Sequence, residues 1–273
     1  MVKNDSNKHG LNWQEIESGL LERSLSYVTH HEILDQVDST NNRALGVCGR
    51  AKELPVIYLA EQQLHGRGRN GRIWHSPRGG NIYMSLASVF QCPVAKLTGL
   101  SIAIGVEMAR MLRHHGLDVA LKWPNDILVD GQKLAGILVE TRVKDKNQVC
   151  VVMGVGLNYS MGDRDVANIN QLWTDLIRVM QGMPMPNRNL IAAEMINALV
   201  NVCIEFPAAG LNHWLDTWSE LDVCNNRKLE VIEGDSRYIG TGAGITEKGA
   251  LRVRVDGEIR AIHSSEVSIR VIN

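Results

Sequence analysis

Hydrophobic positions along the chain fall into two rhythms. Leu97, Leu100, Ile104, Met108, Met111 and Leu112 recur at helical spacing and predict a core helix. Residues 190 to about 205 and 211 to about 220 predict two more, and 13–25 a short one that packs on the main body. Apolar runs bounded by turn residues predict strands at 32–37, 56–61, 81–89, 119–123, 127–129, 133–143 and 149–157. The last four lie close together, with the turn Asp130-Gly131-Gln132 inside the group, and predict an antiparallel meander. Asp38-Ser39-Thr40 offers N-cap chemistry for a helix running through Leu45. From Arg227 on, five short β-rich runs (228–232, 238–245, 250–255, 259–263 and 267–271) alternate with turns. This order predicts an α+β protein: a mixed, largely antiparallel sheet with flanking helices, plus a small C-terminal SH3-like β-barrel. The expected division is a tail and short helix at 1–28, a main domain at 29–224 and the barrel at 225–273. Residues 1 to about 12 are polar and expected to fray.

Composition narrows the class without changing this picture. The 273 residues are 44% hydrophobic with a formal net charge of -1, enough for a full core and too little charge for a broad duplex-DNA footprint. Apolar runs fall short of the about 20 residues that span a bilayer, and Met1-Val2-Lys3-Asn4-Asp5-Ser6 lacks a signal-peptide core. A cytoplasmic location is expected. The five cysteines contain no C-x-x-C pair, so reduced thiols are expected, with neither a zinc site nor a disulfide framework.

Candidate chemistry concentrates in Gly66-Arg67-Gly68-Arg69-Asn70-Gly71-Arg72. Its glycine spacing matches a dinucleotide fingerprint, but Arg72-Ile73-Trp74-His75-Ser76-Pro77 has no helical period, so no helix can start there to hold a pyrophosphate. Arginines at alternate positions instead suggest an anion held by side chains, each charge-assisted bond contributing about 1.5–3 kcal/mol. A plain solvated turn is the alternative. Asp38-Ser39-Thr40-Asn41-Asn42 presents outward-facing hydroxyls and an amide after a strand, which capping alone would also explain. Glu61-Gln62-Gln63 ends an apolar strand just before the arginine loop. Lys122-Trp123-Pro124-Asn125-Asp126 breaks a strand at a proline and exposes three polar residues. In Lys133-Leu134-Ala135-Gly136-Ile137-Leu138-Val139-Glu140 a lone lysine enters an apolar strand, where it either snorkels or meets an anion.

Together with Gly154-Val155-Gly156-Leu157-Asn158, these segments occur in the order and approximate spacing of the biotin protein ligases, bacterial type, which the chain resembles over roughly residues 30–273. The resemblance implies a class II synthetase-like catalytic domain. It implies that biotin and ATP give biotinyl-5′-AMP and pyrophosphate, and that a lysine of a biotin carboxyl carrier protein domain then takes the biotinyl group. Ser39, Thr40, Asn41 and Gln63 would contact the neutral head of biotin, with Arg67, Gly68, Arg69 and Lys133 completing its site. Arg67, Arg69, Arg72, Trp74, Asn125 and Asn158 would serve ATP, with Trp74 against adenine. Lys133, Arg69 and Asp126 are the catalytic candidates. Joining a carboxylate to an α-phosphate requires fixed cations, for which Arg67, Arg69 and Lys133 qualify. Asp126 either orients or deprotonates the acceptor lysine, or contacts the metal. Mg²⁺ would be held mainly by phosphate oxygens, because no carboxylate cage is visible. The loop glycines would let a lid move over the reactive anhydride while the arginines close it.

Leu64-His65 stands where small residues are more usual in the family, and Asn70 follows Arg69. Family members that act as repressors carry an N-terminal winged helix; only 38 residues precede Ser39, so no operator binding is expected. A lipoate or octanoyl ligase of the same fold would want an apolar pocket in place of the Ser39-Thr40-Asn41 and Gln63 set. A non-catalytic nucleotide- or RNA-binding module would need no Lys133. An exposed sheet edge around 144–151 could pair two subunits as a homodimer. Asp163-Arg164-Asp165 could form a mobile loop, and Trp173 is assigned to the core rather than to the ligand.

Overall fold

The computed structural model describes residues 10–50, 54–162, 169, 171–263 and 267–272; Asp163-Arg164-Asp165 and the first nine residues lie outside them. Seven strands build the main sheet: β1 (His30–Leu34), β2 (Val56–Ala60), β3 (Ile82–Phe90), β4 (Val119–Lys122), β5 (Asp126–Val129), β6 (Gln132–Asp145) and β7 (Gln148–Leu157). Their order is β1-β2-β3-β7-β6-β5-β4. Two short helices, α1 (Trp13–Ser18) and α2 (Glu22–Tyr27), precede the sheet, and among its strands only β1 and β2 pair in parallel, joined by the crossover helix α3 (Thr40–Val47). The remaining pairs are antiparallel, and β4 to β7 form the expected meander.

Period-two alternation sorts the sheet's two faces. Val56 and Tyr58 of β2 and Cys150 and Val152 of β7 pack with Ala44, Val47 and Cys48 of α3. Ile57, Leu59, Val151 and Met153 point the other way, into the main core with α4 (Leu100–His114) and α6 (Arg188–Ala209), which follows the short α5 (Leu176–Val179). At 22 residues α6 is the one described helix long and apolar enough to cross a bilayer, although the broken apolar runs predict none. Its apolar residues are spread around the helix because several elements bury it.

The expected N-terminal helix is two helices, broken where Gly19 caps α1 and the Leu21 N–H donates to Asn197 Oδ1 at 3.0 Å. Nor do residues 10–12 fray. Leu11 N–H donates to Glu61 Oε1 at 2.6 Å and Asn12 N–H to Asn189 Oδ1 at 2.9 Å. The thiol expectation also fails for one pair: Cys48, at the end of α3, is joined to Cys150 on β7 by a disulfide, while Cys92, Cys203 and Cys224 are free and buried. Packing of α3 on the sheet brings together two positions 102 apart in sequence, which local spacing does not reveal.

After α7 (Leu215–Leu221), five strands form a second sheet: β8 (Lys228–Glu233), β9 (Ser236–Ile245), β10 (Leu251–Val255), β11 (Glu258–Ile262) and β12 (Val267–Ile272), ordered β11-β10-β9-β8-β12. This sheet does not close into the expected barrel: among the described residues β11 and β12 do not pair. β12 is turned toward the main sheet instead, and Val267, Ser268, Ile269 and Arg270 line the cleft described below. The Trp123 indole N–H, donating to the Gly249 carbonyl at 2.9 Å, ties the two sheets together.

Candidate active site

A cleft of about 890 Å³ opens on the α3 face of the main sheet. Gly136 of β6 and Gly154 and Gly156 of β7 share that face and vacate it. A Cβ on Gly156 would lie 2.5 Å from Trp74 Cε2, and one on Gly154 would lie 2.1 Å from Asn41 Oδ1. The glycines therefore make room for two side chains that enter from other elements.

One end of the cleft is a buried neutral network. Ser39, Thr40 and Asn41 are 1%, 3% and 4% exposed, so they face the cleft rather than outward as the sequence suggests. Ser39 stands at the N-cap position of α3, yet its side chain makes no capping bond. Gln63 takes over that function: its Oε1 accepts from the Thr40 N–H at 2.9 Å and from Thr40 Oγ1 at 3.1 Å, while its Nε2 donates to Ser76 Oγ. Ser85, a polar residue within the buried β3, donates to Asn41 Oδ1 at 2.6 Å. Every contact here pairs neutral groups, apart from one carboxylate: Asn41 Nδ2 donates to Glu140 Oε2 at 2.9 Å.

The arginine segment is a short hairpin. Gly68 N–H donates to Arg72 O at 2.7 Å, Arg67 bridges Ile73, and Trp74 N–H donates to Gly66 O at 2.9 Å. Gly66 is required by close approach, since a Cβ would fall 2.3 Å from the Trp74 carbonyl oxygen. Asn70 and Gly71, at φ 55 and 70, turn the tip. The arginines diverge. Arg67 pairs with Glu140 at 2.9 Å and donates to Asn42 Oδ1 at 2.6 Å. Arg69 points into the cleft; burial holds its guanidinium below the ordinary range, with the Asp126 carboxylate opposing and Arg72 reinforcing that shift. Arg72 reaches Ser268 Oγ on β12.

The opposite end is charged. Pro124 ends β4, and the Asp126 that opens β5 meets Lys133 at 2.7 Å, a largely buried ion pair. Lys133 Nζ also sits 5.2 Å from the centre of the Trp74 ring, within cation–π range. The Trp74 indole N–H is buried with no hydrogen-bond partner in the structure, a donor awaiting an acceptor. Asn125 and Asn158 line the cleft, but their amide nitrogens are taken up by backbone: Asn125 Nδ2 donates to Ile137 O at 2.7 Å, and Asn158 Nδ2 to Thr174 O at 3.0 Å.

All the predicted residues, Ser39, Thr40, Asn41, Gln63, Arg67, Gly68, Arg69, Arg72, Trp74, Asn125, Asp126, Lys133 and Asn158, line this one cleft. Trp173 lines it as well, half-buried with Arg178 stacked 4.2 Å over its ring, rather than sitting in the core. Sequence reasoning missed Ser76, Ser85, Glu140 and the β12 residues. Ser85 carried a signal, a hydroxyl inside the apolar run Ile82–Phe90; the β12 residues carried none, being far away in sequence.

Residues 33–158 match the model of the Biotin/lipoate A/B protein ligase family. The chain is 38% identical over 239 residues to the bifunctional ligase/repressor BirA of Escherichia coli (strain K12), covering 87% of this chain and 73% of that one. It is 29% identical over 242 residues to the biotin--[acetyl-CoA-carboxylase] ligase of Mycobacterium tuberculosis, covering 86% and 87%. Among solved structures, the biotin protein ligase from Aquifex aeolicus in complex with biotin and ATP shares the fold at a TM-score of 0.74, with 22% identity over 89% of this chain and 100% of that one. With a neutral network at one end of its cleft, arginines and a lysine at the other, and this degree of likeness, the chain belongs to the biotin protein ligases of the biotin/lipoate A/B protein ligase family.

Proposed function

We propose that the cleft joins biotin to ATP as biotinyl-5′-AMP, releasing pyrophosphate, and then transfers the biotinyl group to a lysine of a biotin carboxyl carrier domain. The observation that carries this reading is the meeting of a neutral cluster, the buried Thr40 and Asn41 with the half-buried Gln63, with Arg69, Lys133 and Trp74 in one cleft. A neutral, polar ureido ring is recognised by hydroxyls and amides, and an acid-phosphate encounter by fixed cations. In the first step a biotin carboxylate oxygen bonds to the α-phosphorus and the bond to the bridging oxygen of pyrophosphate breaks. Lys133 and Arg69 offset the charge gathered there, and Trp74 offers adenine a ring face and a free N–H. In the second step the acceptor amine attacks the acyl carbon, AMP leaves with the electron pair, and the amine gives up a proton. A lysine amine is almost wholly protonated near neutral pH, at pKa about 10.4, so it needs a nearby carboxylate to orient and receive that proton. Asp126 is the one carboxylate among the described residues lining the cleft.

Mg²⁺ fits this reading as a phosphate-held ion. Among the described residues no group of three or more His, Cys, Asp or Glu could cage a metal, which leaves Asp126 as the protein's single acidic contact. When bound, the ion would neutralise phosphate charge. The reading takes 29–224 as the catalytic unit and 225–273 as a second unit lending β12 to the cleft, in the cytoplasm, with a carrier domain as partner.

The same reading includes a homodimer. β7 lies inside the sheet, so the expected edge at 144–151 moves to β6, whose outer edge from Val139 to Asp145 has no strand partner among the described residues. Biotin with ATP should shift sedimentation to a dimer, and an unchanged monomer would remove this part.

Exchange of labelled pyrophosphate into ATP tests the activity. Exchange that depends on biotin is expected, with none from lipoate or without an acid; lipoate-dependent exchange would move the assignment to the lipoate ligases, and no exchange to a binding module.

A further inference from the structure

We infer that Glu140 is a positioning residue that sets the biotin end of the cleft and the base of the arginine hairpin as one unit. Glu140 shares the cleft face of β6 with Gly136 and Leu138, beyond the last residue that β5 pairs. Its carboxylate serves two elements at once, the arginine hairpin and α3. Oε1 accepts from Arg67 Nη2 at 2.9 Å and Oε2 from Arg67 Nη1 at 3.3 Å, a two-pronged contact that fixes the guanidinium in direction as well as distance. Oε2 also accepts from Asn41 Nδ2 at 2.9 Å. The Asn41 amide is thereby oriented: its nitrogen faces Glu140 and the Leu138 carbonyl, and its oxygen faces the Ser85 hydroxyl. A second bond closes the circuit, from Arg67 Nη1 to Asn42 Oδ1, so α3 is held by the hairpin from its neighbouring residue too.

This arrangement changes the part assigned to Arg67. Its guanidinium is turned toward a carboxylate on β6 and an amide on α3, which suits it to anchoring the hairpin; Arg69, two residues on, lies within the electrostatic reach of Asp126 at the charged end. Because Gly68 N–H is bonded to Arg72 O, a fixed Arg67 fixes where Arg69 projects. Glu140 touches neither reacting group. It acts through Asn41 on biotin placement and through Arg67 on closure over the intermediate.

The inference rests on the biotin ligase reading, and its test separates the two. Glu140→Gln preserves shape but replaces one acceptor oxygen with an NH₂ that must face a donor, either Asn41 or Arg67. The expected outcome is a KM for biotin raised about tenfold and biotinyl-5′-AMP released about tenfold faster, the scale of one charge-assisted hydrogen bond. The KM for ATP and the thermal midpoint should stay at wild-type values. The double variant Glu140→Gln with Arg67→Ala should release the intermediate no faster than the worse single variant, because the two residues act as one unit. Wild-type biotin KM and retention in Glu140→Gln would overturn the inference, as would multiplicative effects in the double variant or a loss that tracks a lowered thermal midpoint. A wild-type enzyme without biotin-dependent exchange would overturn the ligase reading itself, and this inference with it.

Discussion

The two ends of the cleft are built on opposite electrostatic plans. At the neutral end, Thr40, Gln63, Ser76, Ser85 and Asn41 satisfy one another through hydrogen bonds. At the charged end, Lys133 leans on Asp126 and Trp74, and Arg69 lies near the same carboxylate. A neutral ring can thus enter a site that is already organised, at little reorganisation cost. An anion must instead compete with a resident carboxylate for its cations. The difference teaches that tightness for biotin is a matter of fixed geometry, while the handling of phosphate is a matter of exchanging ion partners.

Removing the central cation should break the charged end most severely. Lys133→Ala is expected to cut biotin-dependent pyrophosphate exchange by about 10²–10³-fold, the scale of one lost transition-state donor; wild-type exchange in that variant would end its assignment. Gln63→Ala removes the acceptor shared by both Thr40 donors, and a rise in the KM for biotin of about thirtyfold with little change in the KM for ATP would set the neutral end apart. Arg69→Gly should slow adenylation less than Lys133→Ala does and shorten the half-life of bound intermediate about tenfold, with biotin appearing on bystander lysines; unchanged retention would sink its role in closure. The mildest probe is salt. Raising ionic strength from about 0.05 to about 0.5 M should weaken ATP binding a few-fold and leave biotin binding nearly unchanged. Equal sensitivity at both ends would erase the contrast.

Much of this plan was legible in the sequence because it is local. The helix and strand rhythms place nearly every element within a few residues, as with the expected 133–143 against the observed Gln132–Asp145. The polar interruptions of apolar runs at Gln63, Asn125-Asp126 and Lys133 mark the cleft correctly. What escaped depends on long-range packing. Ser39, Thr40 and Asn41 read as an exposed cap, and only the fold of α3 against β7 shows them buried. The closed barrel was inferred from strand count, which says nothing about whether β12 turns back to β11 or toward Arg72. Glu140 drew no notice within the strand expected at 133–143; its partners, Arg67 and Asn41, lie 73 and 99 residues away.

The Cys48–Cys150 bond gives the chain a topology as well as a fold. It closes a ring spanning 102 positions that contains Gln63, the arginine hairpin, Asp126, Lys133 and Glu140, with Ser39, Thr40 and Asn41 just before it and Asn158 just after. Unfolded with the bond intact, the protein is a lariat whose loop holds most of the catalytic side chains. In the chain-entropy model, closing a loop of about 100 residues removes about 4.7 kcal/mol of disorder from the unfolded state. Denaturant titrations with and without a dithiol would measure that contribution directly. The same reductant that cuts the ring would leave every contact in the cleft within reach of re-forming, so redox poise would set how long the site lasts rather than how it works.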